Sequence, residues 1–366
     1  MAKITLKDLS HSYLEKQHSN ADWALRDVNI DWKDGGAYAL LGPSGCGKTT
    51  TLRMIAGLEL PTSGKILLDN DDVTFLRASQ RDIAFVFQLF ALYPHMNVKN
   101  NLSFPLKMQK FSKKEIEQRI SEVASLLRIE HLLNSKVSGL AGGDRQRVAL
   151  GRAIVRRPKA FLMDEPLGTL DAEFRELMCL ELRKLHNNID ATTVYVTHDQ
   201  LEAMSMGDRI AVMNEGKILQ YGSPNDIYTK PKTKFVGAFI GSPSMNFIPI
   251  NHGIEIGNQS IRIDNEEYKI PKTKQSSYSQ NNILGVRPEK MFLSDKKGIP
   301  GEVYGSEYLG TRKILTIQSK FGTYKVRVSN DVSLKIGSNV KINFESESAI
   351  IFDNKTDEAL LSDFIS

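Results

Sequence analysis

Residues 42–50 read Gly-Pro-Ser-Gly-Cys-Gly-Lys-Thr-Thr, and this stretch decides the fold of the first part of the chain. It follows an apolar run over 37–41, which has the composition of a buried strand, and it precedes a segment of helix formers over 49–57. Glycines in such a loop let successive backbone N–H groups point at a phosphate, and the start of the helix adds a partial positive charge. The pattern therefore predicts a P-loop.

The side chains of this loop fit a nucleotide phosphate site. Lys48 is long enough to reach the β- and γ-phosphates, and the Thr49 hydroxyl is the group expected to hold Mg²⁺ beside them. A glycine turn that only joins a strand to a helix is the alternative, and the strand–loop–helix order disfavours it. The residues expected to contact the nucleotide are Gly42, Ser44, Gly45, Cys46, Gly47, Lys48, Thr49 and Thr50.

Length and composition limit the class of protein. The chain has 366 residues, enough for two domains, with the 41% hydrophobic and 25% charged residues of an ordinary globular protein. The net charge of +5 comes without a dense basic block, so no nucleic-acid partner is expected. No apolar run approaches the ~18–20 residues of a membrane span, no signal-peptide pattern is present, and a cytosolic chain is predicted. One of the two cysteines, Cys46, lies in the glycine loop, so no disulfide with Cys179 is expected.

The hydrophobic pattern changes along the chain. Up to about residue 220, strand-like and helix-like segments alternate, which indicates an α/β sheet. One or two amphipathic helices are predicted over 112–133, with Ser112 and Glu115 as a capping box and one apolar face formed by Ile116, Ile120, Val123, Leu126 and Leu127. After about residue 240 short β-type runs follow at 261–263, 313–317, 323–328 and 340–344. We predict a first domain over 1–238, with a helical subdomain at about 90–158, and an all-β, barrel-like domain over 239–366.

Two carboxylates at a strand end supply the second half of the expected site. The run 161–165 is Phe-Leu-Met-Asp-Glu, which places Asp164 and Glu165 after a buried strand. In P-loop enzymes the first acid at this strand end meets Mg²⁺, and the neighbouring Glu165 could orient or deprotonate an attacking water. Solvated acids at the end of a strand are the alternative, and the P-loop at 42–50 argues against it.

Three further features recur at the ends of apolar segments. Gln88 ends the run 83–87, and His198 ends the run 192–197. Gly142 and Gly143 precede an amphipathic helix, whose start could bind a second anion. Taken singly, the first two could be ordinary polar residues at strand ends and the glycines an ordinary turn.

In this order and spacing the chain resembles, over essentially its whole length, the ATP-binding subunit of an ATP-binding-cassette (ABC) transporter. The resemblance identifies 42–49 as the Walker A loop, 140–144 as the signature and 161–165 as the Walker B motif, with Gln88 in the Q-loop, Asp171 in the D-loop and His198 as the switch histidine. It implies ATP and Mg²⁺ as cofactors, with Mg²⁺ held by Thr49, Gln88 and Asp164. The catalytic residues that it implies are Glu165, His198, Lys48 and Gln88. Tyr13 matches the aromatic residue that stacks on adenine, although an aromatic early in a strand is more often part of a core.

The same resemblance implies partners and a location. Two cassettes close face to face, and each ATP lies between the Walker A loop of one subunit and the signature residues Ala141, Gly142, Gly143 and Asp144 of the other. Two membrane-spanning permease subunits and, indirectly, an external substrate-binding protein are expected. The chain would be peripheral, on the cytoplasmic face of the inner membrane. Coupling to the permeases is expected near Gln88 and 89–98, where large apolar residues suit a groove for a partner helix; packing on the helical subdomain is the alternative.

The signature departs from the family pattern. It reads Leu-Ala-Gly-Gly-Asp where the family usually has Leu-Ser-Gly-Gly-Gln, so Ala141 removes a hydroxyl. Asp144 adds a negative charge near a polyanion, which is unfavourable unless it faces ribose hydroxyls or a nearby arginine. Two interpretations stay open: an active homodimer, which we favour because Lys48 and Glu165 are present, or pairing with a different cassette.

The substrate class follows only from resemblance. The junction at 235–247 is similar to that of carbohydrate importers of the maltose-transporter type, and 285–289 (Gly-Val-Arg-Pro-Glu) marks their oligonucleotide-fold-like regulatory domain. Segments 21–25 and 32–38 are similar to those of glycerol and sugar-alcohol importers. The alternatives are importers of polyamines, iron or sulfate and, in other classes, a soluble non-transport ABC ATPase, a small-molecule kinase or a regulator with an inactive cassette.

Overall fold

The computed structural model describes residues 1–14, 19, 22–88, 90–168, 172–189 and 191–365. The chain divides into two compact units, Met1–Pro224 and Asn225–Ser366. None of the helices in the described part of the chain is both long and apolar enough to cross a membrane.

The first unit contains two sheets. The larger has the strand order β10-β9-β3-β8-β7-β6, parallel from β9 to β6 with β10 antiparallel at one edge. The smaller is antiparallel, in the order β2-β1-β4-β5. The strands are β1 Ile4–His11, β2 Leu25–Trp32, β3 Ala37–Leu41, β4 Ser63–Leu68, β5 Asp71–Asp72, β6 Ile83–Val86, β7 Ala160–Asp164, β8 Thr192–Thr197, β9 Arg209–Asn214 and β10 Lys217–Gly222.

Two hydrophobic cores lie on opposite faces of the larger sheet. Strand β7 shows the division, because Leu162 belongs to the core shared with Trp32 whereas Phe161 belongs to the core shared with Leu102. Successive strand residues point to opposite faces, so a strand buried on both sides is continuously apolar. The helices of this unit are α1 Lys48–Ile55, α2 Val98–Met108, α3 Lys113–Leu127, α4 Gly142–Ile154, α5 Ala172–Asn188 and α6 Gln200–Met206.

The helical segment predicted over 112–133 contains α3. Ser112 Oγ accepts from Glu115 N at 3.3 Å and Ser112 N donates to Glu115 Oε2 at 3.0 Å, which confirms the capping box. Ile116, Ile120 and Val123 are buried as expected. Leu126 is 41% exposed, so its place on the buried face was wrong. The helix ends at Leu127, which packs against the core as predicted.

The second unit begins with two short helices and continues as β structure. The sheets are β11-β14-β20, β12-β13 and β15-β19-β16-β17-β18, all antiparallel. Its elements are α7 Pro224–Thr229, α8 Lys234–Phe239, β11 Asn246–Ile250, β12 Ser260–Ile263, β13 Glu266–Lys269, β14 Asn282–Val286, β15 Met291–Leu293, β16 Ile299–Tyr308, β17 Lys313–Ser319, β18 Gly322–Val328, β19 Asn339–Phe344 and β20 Ile350–Asp353. The predicted runs at 261–263, 313–317, 323–328 and 340–344 are all strands, which confirms the β-rich character of this region.

Arg287 explains why α7 and α8 belong to the second unit. Its guanidinium is 5% exposed, donates to the carbonyls of Tyr228 at 2.7 Å and Gly237 at 3.0 Å, and also donates to the Ile240 carbonyl. The Tyr228 ring lies 4.3 Å from the guanidinium carbon. The Arg-Pro-Glu segment is therefore a buried anchor for the two helices rather than a plain turn. The domain boundary at 238/239 stays a prediction. The two compact units, which are defined by contacts between residues, meet after Pro224.

Candidate active site

The loop at 42–47 leaves the carboxyl edge of the parallel sheet. Strand β3, all five of whose residues are buried, lies between β8 and β9 and leads directly into it. Gly47 has φ +103°, and a Cβ there would lie 2.6 Å from the Ala24 carbonyl oxygen, so this position requires glycine. Gly45 has φ +80°, but a Cβ there would meet nothing within 4 Å. The middle of the loop is therefore open on the side where a phosphate would lie.

The Lys48 side chain folds back on this loop. Its ammonium donates to the carbonyls of Gly42 at 2.8 Å and Pro43 at 2.9 Å and lies 3.9 Å from Cys46 Sγ. Lys48 is only 4% exposed, so these carbonyls replace the water that the charge would otherwise need. Both cysteines are free and buried. Burial raises the pKa of the Cys46 thiol, and the Lys48 charge opposes that rise.

Thr49 and Asp164 meet between the loop and the end of β7. Thr49 Oγ1 donates to Asp164 Oδ1 at 2.8 Å. Burial raises the pKa of Asp164, the hydrogen bond from Thr49 opposes that rise, and the neighbouring Glu165 adds to it. Two of the three residues expected to hold Mg²⁺, Thr49 and Asp164, are thus in contact at this edge of the sheet.

Glu165 lies at the meeting point of three strand ends. Its carboxylate is 3.4 Å from Gln88 Nε2, which follows β6, and 3.3 Å from His198 Nδ1, which follows β8. Glu165 has φ +44°, a left-handed conformation that its backbone holds through a 3.0 Å hydrogen bond to the Val196 carbonyl. Carboxyl ends of neighbouring parallel strands share one edge of the sheet, which is why residues so distant in sequence converge. The structure brings together Gln88, Glu165 and His198.

Tyr13 lies beside α1, the helix that follows the loop. Its side chain is 62% exposed, and its hydroxyl lies 3.1 Å from Thr50 Oγ1 and donates to Glu59 Oε2 at 3.1 Å. The ring contacts His11 edge-on, with 4.6 Å between centroids. Tyr13 is therefore not a core residue, and one face of an anchored aromatic ring is available. The sequence contained no sign of the contact with Glu59.

The signature residues begin α4. Ala141 is the N-cap and makes no side-chain hydrogen bond to the helix, while a Cβ on Gly142 would meet nothing within 4 Å. Asp144 lies 3.6 Å from the Arg147 guanidinium, and Arg147 Nε lies 3.4 Å from Glu181 of α5. Arg147 thus lies between two carboxylates, Asp144 of its own helix and Glu181 of α5. The i, i+3 spacing of an aspartate and an arginine was a signal for the pair of Asp144 and Arg147 in the sequence. Asp171 of the predicted D-loop lies outside the described residues.

Apolar side chains form an open groove of about 480 Å³ beside Gln88. Phe90 and Tyr93 from the predicted coupling segment line it, and Phe87 and Met108 are partly exposed there. Leu92, from the same segment, instead packs against the core of the helical region. The alternative interpretation of 89–98 therefore holds for Leu92 and also for Tyr93, whose ring lies 4.8 Å from that of Phe104 in α2 while it lines the groove. Leu89 lies outside the described residues.

Comparison with known proteins identifies the family. The profile of the ABC transporter family matches residues 25–168, and that of the TOBE domain matches residues 284–352. The trehalose/maltose import ATP-binding protein MalK of Thermococcus litoralis is 44% identical over 92% of this chain and 95% of its own length. An sn-glycerol-3-phosphate import ATP-binding protein of Agrobacterium fabrum is 44% identical over 96% of this chain and 98% of its own length.

A solved structure agrees with the fold of the first unit. A dimeric ATP-binding cassette in a post-hydrolysis state with ADP and Pi has a TM-score of 0.54 and 32% identity, and the match covers 60% of this chain and 98% of that one. The chain belongs to the family of ABC transporter ATP-binding proteins. It is an ATP hydrolase with a cassette followed by a C-terminal β-rich TOBE domain.

Proposed function

We propose that this chain energises the import of a carbohydrate or sugar alcohol through an ABC transporter. The observation that carries the proposal is the convergence of the P-loop, the strand-end acids, Gln88 and His198 at one edge of the sheet. The names of the two import relatives specify trehalose or maltose and sn-glycerol 3-phosphate, and all of these solutes carry more than one hydroxyl group. Polyamine, iron or sulfate import and a soluble non-transport ATPase are the alternatives.

The residues present fit a magnesium–nucleotide complex. Mg²⁺ binds oxygen ligands, of which proteins usually supply one or two while phosphates and water supply the rest. Thr49 Oγ1 and Asp164 supply such oxygens side by side, and Gln88, whose Nε2 lies 3.4 Å from Glu165 Oε2, would add its amide oxygen. Bound Mg²⁺ would neutralise charge that develops on the phosphate oxygens. When ATP binds, the Lys48 ammonium would turn from the loop carbonyls to the β- and γ-phosphates. The phosphate oxygens can accept hydrogen bonds from the three N–H donors of the ammonium.

Glu165 would act on the attacking water. Its carboxylate is held from both sides, by Gln88 and by His198, and its side chain is 19% exposed, so a water can reach it. A general base must lie within hydrogen-bond reach of the proton it takes, and fixed neighbours keep it there. His198, 53% exposed, would hold the γ-phosphate and the water in register with that carboxylate. Tyr13, exposed beside the loop, would stack on adenine.

The signature would complete the ATP site of a second cassette. The open face at Gly142 and the free backbone donors at the start of α4 suit a phosphate supplied from outside the chain. Because Arg147 lies 3.6 Å from Asp144, it offsets part of the negative charge that this departure from the family pattern brings to the site. This supports a homodimer, with the γ-phosphate bridging two copies until hydrolysis removes it.

Membrane subunits would dock at the groove beside Gln88. A large apolar concavity with aromatic walls suits an amphipathic helix of a permease. The chain would then be peripheral, on the cytoplasmic face of the membrane, and would meet the external binding protein only through the permeases. The C-terminal domain would contribute cassette–cassette contact or regulation, without binding nucleic acid.

The substrate class can be tested on the assembled transporter. The chain is copurified with its permease subunits, reconstituted, and assayed for ATP hydrolysis with the cognate binding protein. Maltose, trehalose, sorbitol or sn-glycerol 3-phosphate should stimulate hydrolysis, whereas putrescine and sulfate should not. Stimulation only by putrescine, ferric iron or sulfate would replace the proposed class with one of the alternatives.

A further inference from the structure

A buried network of hydrogen bonds lies directly behind His198, and the mechanism above does not use it. His198 stands between Thr197, the last residue of β8, and Asp199, the N-cap of α6. The His198 side chain is 53% exposed, whereas Thr197 is 1% exposed. An exposed ring has little packing to orient it, so its direction depends on the backbone turn that carries it.

The hydroxyl of Thr197 closes this turn. Thr197 Oγ1 donates to Glu202 Oε2 at 2.5 Å and accepts from Asp199 N at 2.9 Å. A hydroxyl has one hydrogen, and a carboxylate can only accept, so the hydrogen points at Glu202 and a lone pair is left for the Asp199 amide. Glu202 thereby fixes the hydrogen bond that spans His198.

Asp199, on the other side of His198, is tied to the same carboxylate. Its Oδ1 accepts from the amides of Leu201 at 2.8 Å and Glu202 at 3.3 Å, which caps α6. Arg175 of α5 lies 3.2 Å from Asp199 Oδ2 and 3.5 Å from Glu202 Oε1. Both chain neighbours of His198 are therefore connected to the pair formed by Arg175 and Glu202.

Glu202 itself is deeply buried and well partnered. It is 4% exposed, and Tyr195 donates a further hydrogen bond to its Oε2 at 2.8 Å. Burial raises the pKa of Glu202, while the hydrogen bonds from Thr197 and Tyr195 oppose that rise. A buried carboxylate with three partners is rigid, and none of its hydrogen bonds reaches the phosphate loop.

We propose that Glu202 is a positioning residue for ATP hydrolysis: with Arg175 it fixes the turn from Thr197 to Asp199 and so presents His198 to Glu165. The inference rests on the role of His198 in the proposed function. Because the P-loop is not part of this network, loss of the network slows hydrolysis and leaves nucleotide binding intact. A displacement of about 1 Å at a positioned group can lower a rate about 100-fold.

The test compares Glu202→Gln with Asp208→Asn in the full-length chain. Glu202→Gln should lower kcat about 10- to 100-fold and leave the KM for ATP within about twofold of the wild-type value. Asp208 forms the other ion pair between α5 and the end of α6, with Arg183 at 2.6 Å, away from His198. Asp208→Asn should weaken the contact between α5 and the end of α6 and leave kcat within about twofold of the wild-type value. Equal losses of kcat in both variants would overturn the inference.

Thr197 supplies a second test that holds even if Glu202→Gln does not fold. Thr197→Val removes the hydroxyl at nearly constant volume and should lower kcat as Glu202→Gln does, while Thr197→Ser keeps the hydroxyl and should preserve kcat. A Thr197→Val protein with wild-type kcat would overturn the inference.

Dependence on His198 is measured by single-turnover hydrolysis. In a His198→Ala background, Glu202→Gln should cause no further loss, and a full additional loss would show that Glu202 acts elsewhere. If His198→Ala alone leaves kcat unchanged, the role proposed for His198 fails and the inference fails with it. If His198→Ala is slow but Glu202→Gln is not, only the inference fails.

Discussion

Thr49 Oγ1 donates to Asp164 Oδ1 at 2.8 Å, which joins the start of α1 to the end of β7 across 115 positions of the chain. The bond places a hydroxyl and a carboxylate oxygen in contact at the open side of the P-loop. Both are ligands that Mg²⁺ accepts, so the fold brings two candidate metal ligands together from distant parts of the chain. A fixed site lowers the reorganisation needed for catalysis.

Removing the Thr49 hydroxyl tests this relationship. In Thr49→Val, the buried Asp164 loses its donor, and the free energy of unfolding should fall by about 1–3 kcal/mol. The Mg²⁺ concentration for half-maximal ATP hydrolysis should rise at least about tenfold, equivalent to about 1.4 kcal/mol of metal affinity. Urea denaturation and a Mg²⁺ titration measure the two effects. Thr49→Ser, which keeps the hydroxyl, should behave as wild type; an unchanged Mg²⁺ requirement in Thr49→Val would rule out Thr49 as a ligand.

The signature residue Ala141 allows a gain of function. A serine at this N-cap can accept a hydrogen bond from the first turn of α4, so Ala141→Ser should raise the free energy of unfolding by about 1 kcal/mol. If the chain works as a homodimer, the purified wild type should hydrolyse ATP alone and Ala141→Ser should be at least as fast. No hydrolysis by either protein alone, with activity only beside a second cassette, would favour the heterodimer.

The docking groove predicts a selective loss of partner binding. Met108 lines the groove and is 65% exposed, so Met108→Glu places a charge in the apolar surface without disturbing the core. We expect it to reduce copurification with the permease subunits while the ATPase activity of the isolated chain is retained. Leu180→Glu, at a position that is 56% exposed on α5, is the matched control and should copurify normally. Intact copurification of Met108→Glu would place the docking site elsewhere.

His186 predicts a pH dependence of stability. It is buried on α5 with Nδ1 2.9 Å from Thr193 Oγ1, and burial, together with the Arg183 charge, lowers its pKa below the usual 6.5. As pH falls through about 6.5 the unfolded chain takes up a proton that the folded chain does not, so stability falls. His186→Gln should flatten the loss of unfolding free energy between about pH 7 and about pH 5.5. A slope as steep in His186→Gln as in the wild type would contradict this origin.

Local patterns predicted the parts of the site that are contiguous in sequence. The strand over 37–41, the loop and helix α1 follow each other directly, and the acids at 164 and 165 end a strand that is apolar throughout. That Thr49 and Asp164 lie together could be predicted from their chemistry, because both are Mg²⁺ ligands in P-loop proteins.

Contacts made across the fold were beyond sequence reasoning. The second carboxylate beside Arg147 comes from Glu181 of another helix, and the exposure of Leu126 depends on where α3 meets the core. Likewise, α7 and α8 join the β-rich unit because the Arg287 guanidinium bonds a carbonyl 59 positions away. No periodicity along the chain reports such pairings.

Phosphate release by Glu165→Gln tests the central claim most directly. The amide keeps the size of the side chain but cannot take a proton from water, so hydrolysis should fall more than about 100-fold while MgATP binding is retained. Glu122→Gln, on the surface of α3 where Glu122 pairs with Arg157, is the control and should hydrolyse ATP at the wild-type rate. Bound nucleotide with no phosphate release in Glu165→Gln is the predicted result; phosphate release at the wild-type rate would contradict the account.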